Sequence, residues 1–292
     1  MTIHVPVLIE ECVEGLGLKT GWTVVDGTLG GGGHTRVFSE IVGPEGRVVA
    51  LDRDPSAVAT AQAWLPANVI ARQANYADLE QVLDELNIEF VDAMLLDLGL
   101  SSDQLSDEGR GFSFHSSGPL DLRFDPTQGE SASDLIARLN ERDLADLIFQ
   151  YGEERASRAV ARRICEIRRH TPIRTARQLA ELVRSCVRRS KGHSIDPATR
   201  TFQALRIAVN RELDALSAAL EIIPRRLRVG GRLAVMSFHS LEDRMVKQAF
   251  RNSAIWDVVH RKPITAGVAE RHANPRSRSA KLRVAAVRGF SP

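Results

Sequence analysis

Short apolar runs alternate with amphipathic segments over residues 1–100 of the chain. Runs such as VVAL and AMLLDL are apolar at every position, which is typical of strands buried on both faces of a sheet. The pattern predicts strands at residues 23–26, 47–51, 69–72 and 92–98. Helical periodicity predicts intervening helices at residues 34–42, 55–65 and 77–86. Strands that alternate with helices in this way predict a parallel, doubly wound α/β sheet.

The alternation stops after the fourth predicted strand. Residues 100–130 are rich in glycine, serine and aspartate and have no periodicity, so we predict a long loop that is functional or disordered. Residues 131–189 have helical periodicity, with capping signals at Asn140 and at Thr175 with Gln178. A single long helix is predicted at about residues 201–227.

Strand character returns at residues 231–238, 256–260 and 282–287. The pattern therefore predicts one α/β domain, formed by residues 1–103 and 201–292, that is interrupted by a helical insertion at residues 104–200. A chain of 292 residues, 43% of them hydrophobic, is long enough to form the core of one or two such domains.

Composition narrows the class of protein only slightly. No apolar run approaches the roughly 20 residues that span a bilayer, and the first residues do not resemble a signal peptide. We therefore expect a soluble, cytoplasmic protein. The three cysteines, Cys12, Cys165 and Cys186, have neither metal-ligand nor disulfide spacing, so we expect no metal site.

The distribution of charge is more informative than the net charge of +2. Arginines outnumber acids between residues 155 and 200, and in the segment 153–169 they face away from the apolar side of a predicted helix. We predict that this basic stripe, represented by Arg155, Arg158 and Arg162, binds the phosphate backbone of a nucleic acid. The alternative is an ordinary solvated helical face.

The sequence VVDGTLGGGGHT is the strongest local signal for a binding site. A strand leads into a run of glycines, and a helix follows whose first N–H groups are free to donate to a ligand. The dinucleotide pattern G-x-G-x-x-G fails because Thr35 replaces its third glycine, and a phosphate loop would need a lysine where His34 stands. Asp26, Gly30 and Gly32 instead fit the pattern of methyltransferases, whose ligand has an amino-acid group. The sequence alone also predicts that His34 is a helix N-cap.

Acidic residues follow the other predicted strands. Asp52 ends the second strand, where a carboxylate can accept both hydroxyls of a ribose, whereas Asp54 is as suited to starting the next helix. Asp97 ends the fourth strand and is expected in the same crevice. After the third strand, Tyr76 is predicted either to pack on an adenine or to fill the core.

Motifs along nearly the whole chain resemble those of the bacterial cytosine-N4 methyltransferases of small-subunit ribosomal RNA, the RsmH or MraW family. They are DGTLGGGGHT, LDRDP, LLDLGLSSDQL, GRGFSF, GPLDLRFDP, TRTFQALRIAVNREL and GGRLAVMSFHSLEDRMVK. The resemblance implies a class I, Rossmann-like methyltransferase sheet with an inserted helical domain that recognises RNA. It also implies S-adenosyl-L-methionine as the cofactor and one cytosine of the ribosomal decoding centre as the substrate.

The family resemblance implies a set of residues that contact the cofactor. They are Gly32, Gly33, His34, Asp52, Tyr76, Asp97 and Gln104. Tyr76 replaces a phenylalanine of the family pattern, and either ring can stack on adenine.

Two segments are expected to hold the cytosine. The first contains Asp97, Ser101 and Ser102, although it lacks the Pro-Pro-aromatic sequence of many amino-methyltransferases. The second contains Ser237 and His239. His239 is expected to accept a proton, to contact a phosphate or to be structural, and the next residue, Ser240, is equally expected to cap a helix in a capping box with Asp243.

The aromatic residues Phe112 and Phe114 are predicted to stack on bases or to fill the core of the insertion, with at least one in the core. Two other functions stay open at this point. The chain can be a methyltransferase of DNA or protein, or a nucleic-acid-binding protein with a vestigial cofactor pocket.

Overall fold

The computed structural model describes residues 6–187 and 196–288. All of the predicted strands are present. They are β1 (Thr23–Asp26), β2 (Arg47–Asp52), β3 (Val69–Gln73), β4 (Val91–Asp97), β5 (Leu227–Ser237), β6 (Trp256–Val258) and β7 (Lys281–Val287). The helices are α1 (Ile9–Leu16), α2 (Gly33–Val42), α3 (Pro55–Gln62), α4 (Leu79–Glu85), α5 (Ser102–Ser106), α6 (Ala132–Arg138), α7 (Glu141–Gly152), α8 (Ser157–Arg168), α9 (Ala176–Cys186), α10 (Thr199–Asn210), α11 (Glu212–Arg226), α12 (Ser240–Ala249) and α13 (Val268–Ala273).

The chain forms two compact units, which are Met1–Ser101 with Leu213–Pro292, and Ser102–Glu212. We call them the sheet unit and the helical unit. None of the helices in the described ranges is both long enough and apolar enough to cross a membrane.

The sheet unit has the strand order β3-β2-β1-β4-β5-β7-β6. The strands from β3 to β5 in this order are parallel, and β7 is antiparallel to both of its neighbours. The predicted parallel sheet is therefore confirmed. Val25 and Met94 belong to one apolar cluster and Val24 and Leu95 to another, which explains why these strands are apolar at every position. Since β1, β2 and β4 are parallel, their carboxyl ends lie at one edge of the sheet.

The helical unit contains α5 to α10, and buried polar groups fix the loop that precedes α6. The Arg110 guanidinium donates to the carbonyl oxygens of Arg123 and Phe124 at 2.7 and 2.8 Å. Asn210 accepts from the Phe124 N–H at 2.7 Å and donates to the carbonyl oxygen of Leu122 at 2.7 Å. The segment without periodicity is therefore held in place by hydrogen bonds rather than by regular secondary structure.

The aromatic residues of this loop pack within the helical unit. Phe112 is buried and stacks on Phe124 with 5.8 Å between ring centroids, while the ring of Phe114 meets Phe202 edge-on at 4.9 Å. The prediction that at least one of them is a core residue is confirmed for Phe112.

Helix ends were predicted with mixed success. The caps at Asn140 and at Thr175 with Gln178 are confirmed. The single helix at residues 201–227 is wrong, because the chain breaks between α10 and α11 at Arg211, whose φ is +51°. Apolar periodicity continues on both sides of this residue, so the hydrophobic pattern contained no sign of the left-handed turn.

Candidate active site

The loop between β1 and α2 is anchored by the buried carboxylate of Asp26. Asp26 accepts from the Thr28 N–H at 3.2 Å and from the Thr35 hydroxyl at 2.6 Å. Burial raises the pKa of Asp26, while the nearby His34 and the hydrogen bond from Thr35 oppose that rise. Thr28 also accepts from the Asp97 N–H at 2.7 Å, so the start of the loop is tied to the end of β4. Sequence reasoning missed these roles of Thr28 and Thr35.

Backbone conformation and close packing explain why glycines occupy several positions of the loop. Gly30 and Gly32 have φ values of +50° and +76°, in the left-handed region that favours glycine. A Cβ on Gly32 would lie 2.2 Å from Cζ2 of Trp64, and one on Gly33 would lie 3.0 Å from the ring of Pro6. At Gly32 and Gly33 the space that a side chain would need is occupied by the rings of Trp64 and Pro6. Gly32 is also the N-cap of α2, so the predicted N-cap at His34 is wrong by two residues.

The carboxylate of Asp52 faces the glycine loop from the end of β2. Its Oδ2 accepts from the Gly30 N–H at 2.8 Å, and its Oδ1 accepts from the Asp54 N–H at 2.8 Å. A carboxylate offers about four acceptor positions, so these bonds leave capacity for the two hydroxyls of a ribose. Burial raises the pKa of Asp52 to about 6. Asp54 caps α3 by accepting from the Ser56 N–H at 3.0 Å, which confirms its role at a helix start.

Two predicted site residues from distant motifs meet at the end of β4. Oδ2 of Asp97 lies 3.9 Å from Nδ1 of His34, and Oδ1 accepts from the Gly99 N–H at 3.2 Å. His34 is buried, and its Nε2 lies 3.2 Å from the carbonyl oxygen of Val7. A carbonyl can only accept, so Nε2 carries a proton and donates to Val7. The β4 carboxylate thus lies directly beside the first turn of α2.

Within the sheet unit, the end of β4 and the end of β5, which begin the two segments predicted to hold the substrate, are adjacent. Leu98 donates its N–H to the carbonyl oxygen of Met236 at 3.0 Å, and a Cβ on Gly99 would lie 2.7 Å from the ring of Phe238. Ser101 is buried, and its Cβ would lie 3.5 Å from a Cβ on Gly30. The ends of β4 and β5 and the glycine loop therefore enclose one region at the sheet edge.

The end of β5 is organised by Glu242. Its Oε2 accepts from the N–H groups of Phe238 and His239 at 2.9 and 3.3 Å. His239 is the N-cap of α12, with Nδ1 accepting from the Glu242 N–H at 3.4 Å and Nε2 lying 3.0 Å from Glu242 Oε1. Both ring nitrogens of His239 therefore face groups of the same helix. Ser237 is buried, and its hydroxyl donates to the carbonyl oxygen of Lys281 at 3.4 Å.

The predicted capping box of Ser240 with Asp243 is wrong. The box begins one residue earlier and pairs His239 with Glu242. Asp243 instead accepts from the side chains of Arg283 at 2.7 Å and Lys281 at 3.2 Å on β7. A histidine cap is uncommon compared with a serine cap, so the sequence pattern favoured the wrong register.

Three other predicted site residues are two cofactor contacts implied by the family resemblance, Tyr76 and Gln104, and one candidate to hold the cytosine, Ser102. Tyr76 is partly buried, follows β3 and packs against the apolar cluster that contains Val25 and Met94. Ser102 begins α5 and Gln104 is buried within it, both in the helical unit. Their roles toward substrate and cofactor stay predictions.

The predicted two-faced helix of the insertion is α8. Val160 and Ile164 of α8 are buried, whereas Arg158 and Arg162 of α8, and Arg155 just before it, are exposed. Arg162 lies 3.5 Å from the Glu141 carboxylate, with 66% of its side chain exposed. An exposed pair of this kind contributes little to stability, so the arginine can exchange its partner for a phosphate at small cost.

The sheet order, the glycine loop after β1 and the carboxylates after β2 and β4 define a Rossmann-like, S-adenosylmethionine-dependent methyltransferase. The reversed β7 distinguishes this sheet from an all-parallel dinucleotide-binding sheet. The chain belongs to the MraW methylase family, whose model matches residues 1–288.

Relatives match almost the whole chain. It is 46% identical to "Ribosomal RNA small subunit methyltransferase H" of Rhodopirellula baltica, over 97% of this chain and 91% of that one. It is 49% identical to the protein of the same name from Deinococcus deserti, over 97% of this chain and 93% of that one. A solved structure of a putative rRNA methylase from Clostridium thermocellum is similar at 14% identity, covering 98% and 100% of the two chains with a TM-score of 0.48.

Proposed function

We propose that this protein transfers a methyl group from S-adenosyl-L-methionine to the exocyclic N4 amine of a cytosine in the decoding centre of small-subunit ribosomal RNA. The relatives named above are methyltransferases of small-subunit ribosomal RNA. The observation that carries the proposal is the Asp52 carboxylate, which holds the glycine loop at Gly30 and keeps acceptor capacity beside it. That arrangement suits a nucleoside without a phosphate.

The residues of the loop and of the strand ends fit the cofactor. Asp52 would accept the ribose hydroxyls, and Tyr76 would pack on the adenine. The remaining proposed contacts are Gly32, Gly33, His34, Asp97 and Gln104. Gly32 donates its N–H to the Leu29 carbonyl oxygen at 2.7 Å, so it would contact the cofactor through its Cα rather than through that N–H.

S-adenosylmethionine supplies a methyl group that its sulfonium already activates. The protein must therefore chiefly hold the nucleophile in line with that group. The N4 amine of cytosine is a poor nucleophile, because its lone pair is conjugated into the ring. We propose that Asp97, with Ser101 and Ser102, accepts hydrogen bonds from this amine and so favours positive charge on the nitrogen during transfer.

The cytosine must leave its stack to reach these acceptors. In the proposal, the Phe238 ring and the neighbouring Ser237 and His239 form a wall of the base pocket at the end of β5. His239 would shape that wall rather than accept a proton, because both of its nitrogens face Glu242 groups.

The helical unit would hold the RNA around the target base. Exposed Arg155, Arg158 and Arg162 can neutralise phosphates, whatever the sequence of the RNA. An enzyme that acts on ribosomal RNA or on a small subunit belongs in the cytoplasm, which we propose as its location.

The direct test is methyl transfer from labelled S-adenosylmethionine to small subunits that lack the modification, followed by mapping of the labelled nucleotide. Free ribosomal RNA, DNA and protein serve as parallel substrates. We expect label at N4 of one cytosine of the small-subunit RNA. Label on DNA or protein alone would contradict the substrate, and RNA binding without any transfer would support a vestigial cofactor pocket.

A further inference from the structure

The indole ring of Trp64 lies so close to Gly32 in the glycine loop that Gly32 has no room for a side chain. A Cβ on Gly32 would lie 2.2 Å from Cζ2 and 2.3 Å from Cη2 of the indole. Trp64 follows α3 and precedes β3, and it packs against the apolar cluster that contains Val24 and Leu95. The edge of a rigid ring, held by the core, thus lies against the residue that ends the loop.

The same indole also contacts the helix that follows the loop. The guanidinium carbon of Arg36, on α2, lies 3.4 Å from the Trp64 ring centroid, which is a cation–π contact. Arg36 donates its backbone N–H to the Gly32 carbonyl oxygen at 3.0 Å. The ring edge therefore supports Gly32, while the ring face supports the first turn of the helix to which Gly32 is bonded.

We infer that Trp64 is a positioning residue for S-adenosylmethionine, and that it fixes Gly32 so that the loop keeps its cofactor-binding conformation before the cofactor arrives. This inference rests on the proposed function. A loop rich in glycine loses more conformational entropy on ordering than any other segment of the same length. If a loop without the indole adopts the binding conformation only about a tenth of the time, the apparent Kd rises about tenfold.

Trp22 provides a matched control in the same unit. It is also partly buried, it packs against the same apolar cluster, and the Lys19 ammonium lies 5.5 Å from its ring centroid. Trp22 precedes β1, however, and so lies at the opposite end of that strand from the glycine loop. Trp22→Leu and Trp64→Leu therefore each remove an indole from the same apolar cluster. Only Trp64→Leu removes a ring that contacts the glycine loop.

The experiment measures the Kd for S-adenosylmethionine by calorimetry and the melting temperature for the native chain and both variants. We expect Trp64→Leu to raise the Kd about tenfold. Trp22→Leu should leave the Kd unchanged, even where the two melting temperatures fall equally. Trp64→Phe, which keeps an aromatic edge and face, should recover most of the affinity. Hydrogen exchange should show faster exchange of the amides around Gly32 in Trp64→Leu alone.

A double-mutant cycle tests the contact itself. Gly32→Ala should weaken cofactor binding less in the Trp64→Leu background than in the native one, since the new methyl group then has space. The cost of the left-handed conformation is the same in both backgrounds and cancels. Strict additivity, or equal Kd values for the two leucine variants, overturns the inference while the native chain still binds cofactor. Absence of cofactor binding to the native chain overturns the proposed function as well.

Discussion

Two sets of charged side chains, one in the sheet unit and one in the helical unit, differ in their exposure to solvent. In the sheet unit, Asp26 is buried and Asp52 is half-buried at strand ends, where partial or full loss of solvent raises the pKa of each. In the helical unit, the buried polar side chain of Asn210 is satisfied by the protein backbone, and Arg155 and Arg158 are exposed. A carboxylate that is held in place and partly shielded from water can bind one small ligand in a defined geometry. Exposed cations can instead bind an extended phosphate backbone, and that binding depends on salt.

This difference separates what each unit can be expected to bind. Asp52 gives part of its hydrogen-bonding capacity to the loop and keeps the rest, so it favours one ligand geometry. Arg155, Arg158 and Arg162 are exposed and can follow a phosphate backbone of any sequence. Substitutions of the strand-end carboxylates should therefore affect cofactor and catalysis, and those of the exposed arginines of the helical unit should affect RNA binding.

The largest effect is expected at the end of β4. Asp97→Asn replaces an acceptor that would bear negative charge next to the reacting amine, and we expect kcat/KM to fall about 10²- to 10³-fold. Single-turnover methyl transfer at saturating cofactor measures this loss. Asp92→Asn is the control, because Asp92 lies at the other end of the same strand and accepts from the Thr23 N–H at 2.8 Å. An equal loss in both variants would mean that Asp97 acts only on the fold.

The next effect is expected at Asp52. Asp52→Asn places an amide donor among the N–H groups of Gly30 and Asp54, and it removes a charged acceptor for the ribose. Hydrogen bonds to charged groups contribute about 1.5–3 kcal/mol, so the Kd for S-adenosylmethionine should rise about 10- to 100-fold. Calorimetry measures it. Asp54→Asn is the control, since asparagine caps a helix as well as aspartate does, and a similar loss there would contradict the ribose role.

The pKa of Asp52 predicts a further, smaller effect. With a pKa of about 6, the carboxylate is mostly protonated at pH 5, and cofactor affinity should be about tenfold lower there than at pH 7 if the charged form binds. Stability should change in the opposite direction, because a raised carboxyl pKa makes the folded chain take up the proton as pH falls from about 6 to about 4. Affinity and melting temperature measured from pH 5 to pH 8 check both signs. In the Asp52→Asn variant, the pH dependence of affinity and of melting temperature that Asp52 causes should be lost. If it persists, another group is responsible for it.

The same comparison explains what the sequence could reveal. Strands buried on both faces are apolar throughout, so the positions that follow them are easy to locate, and Asp52 and Asp97 were found in this way. The contact between Gly32 and Trp64 joins segments that are separated by a whole βα unit, and no local pattern reports it. The order of the loop before α6 depends likewise on Asn210, which lies far along the chain.

Local competition explains the errors at helix ends. Serine is a better general N-cap than histidine, but Glu242 at the third helical position binds back to the N–H of His239 and selects that residue. Arg211 adopts a left-handed conformation, which the residue type arginine does not predict. These choices depend on packing, which periodicity does not contain.

The smallest effect tests the helical unit. Reversing Arg155, Arg158 and Arg162 to glutamate should weaken RNA binding about fivefold, since exposed charges contribute only about 0.3 kcal/mol each. The dependence of affinity on salt should become shallower by about one counterion per lost contact. The cofactor Kd should not change.

The control reverses three exposed arginines of the sheet unit, Arg47, Arg225 and Arg251, with the same change in net charge. Equal losses of RNA affinity in the two triple variants would show that overall charge, rather than the surface of Arg155, Arg158 and Arg162, attracts the RNA. Loss of cofactor binding when Arg155, Arg158 and Arg162 are reversed would contradict their proposed role in RNA binding alone.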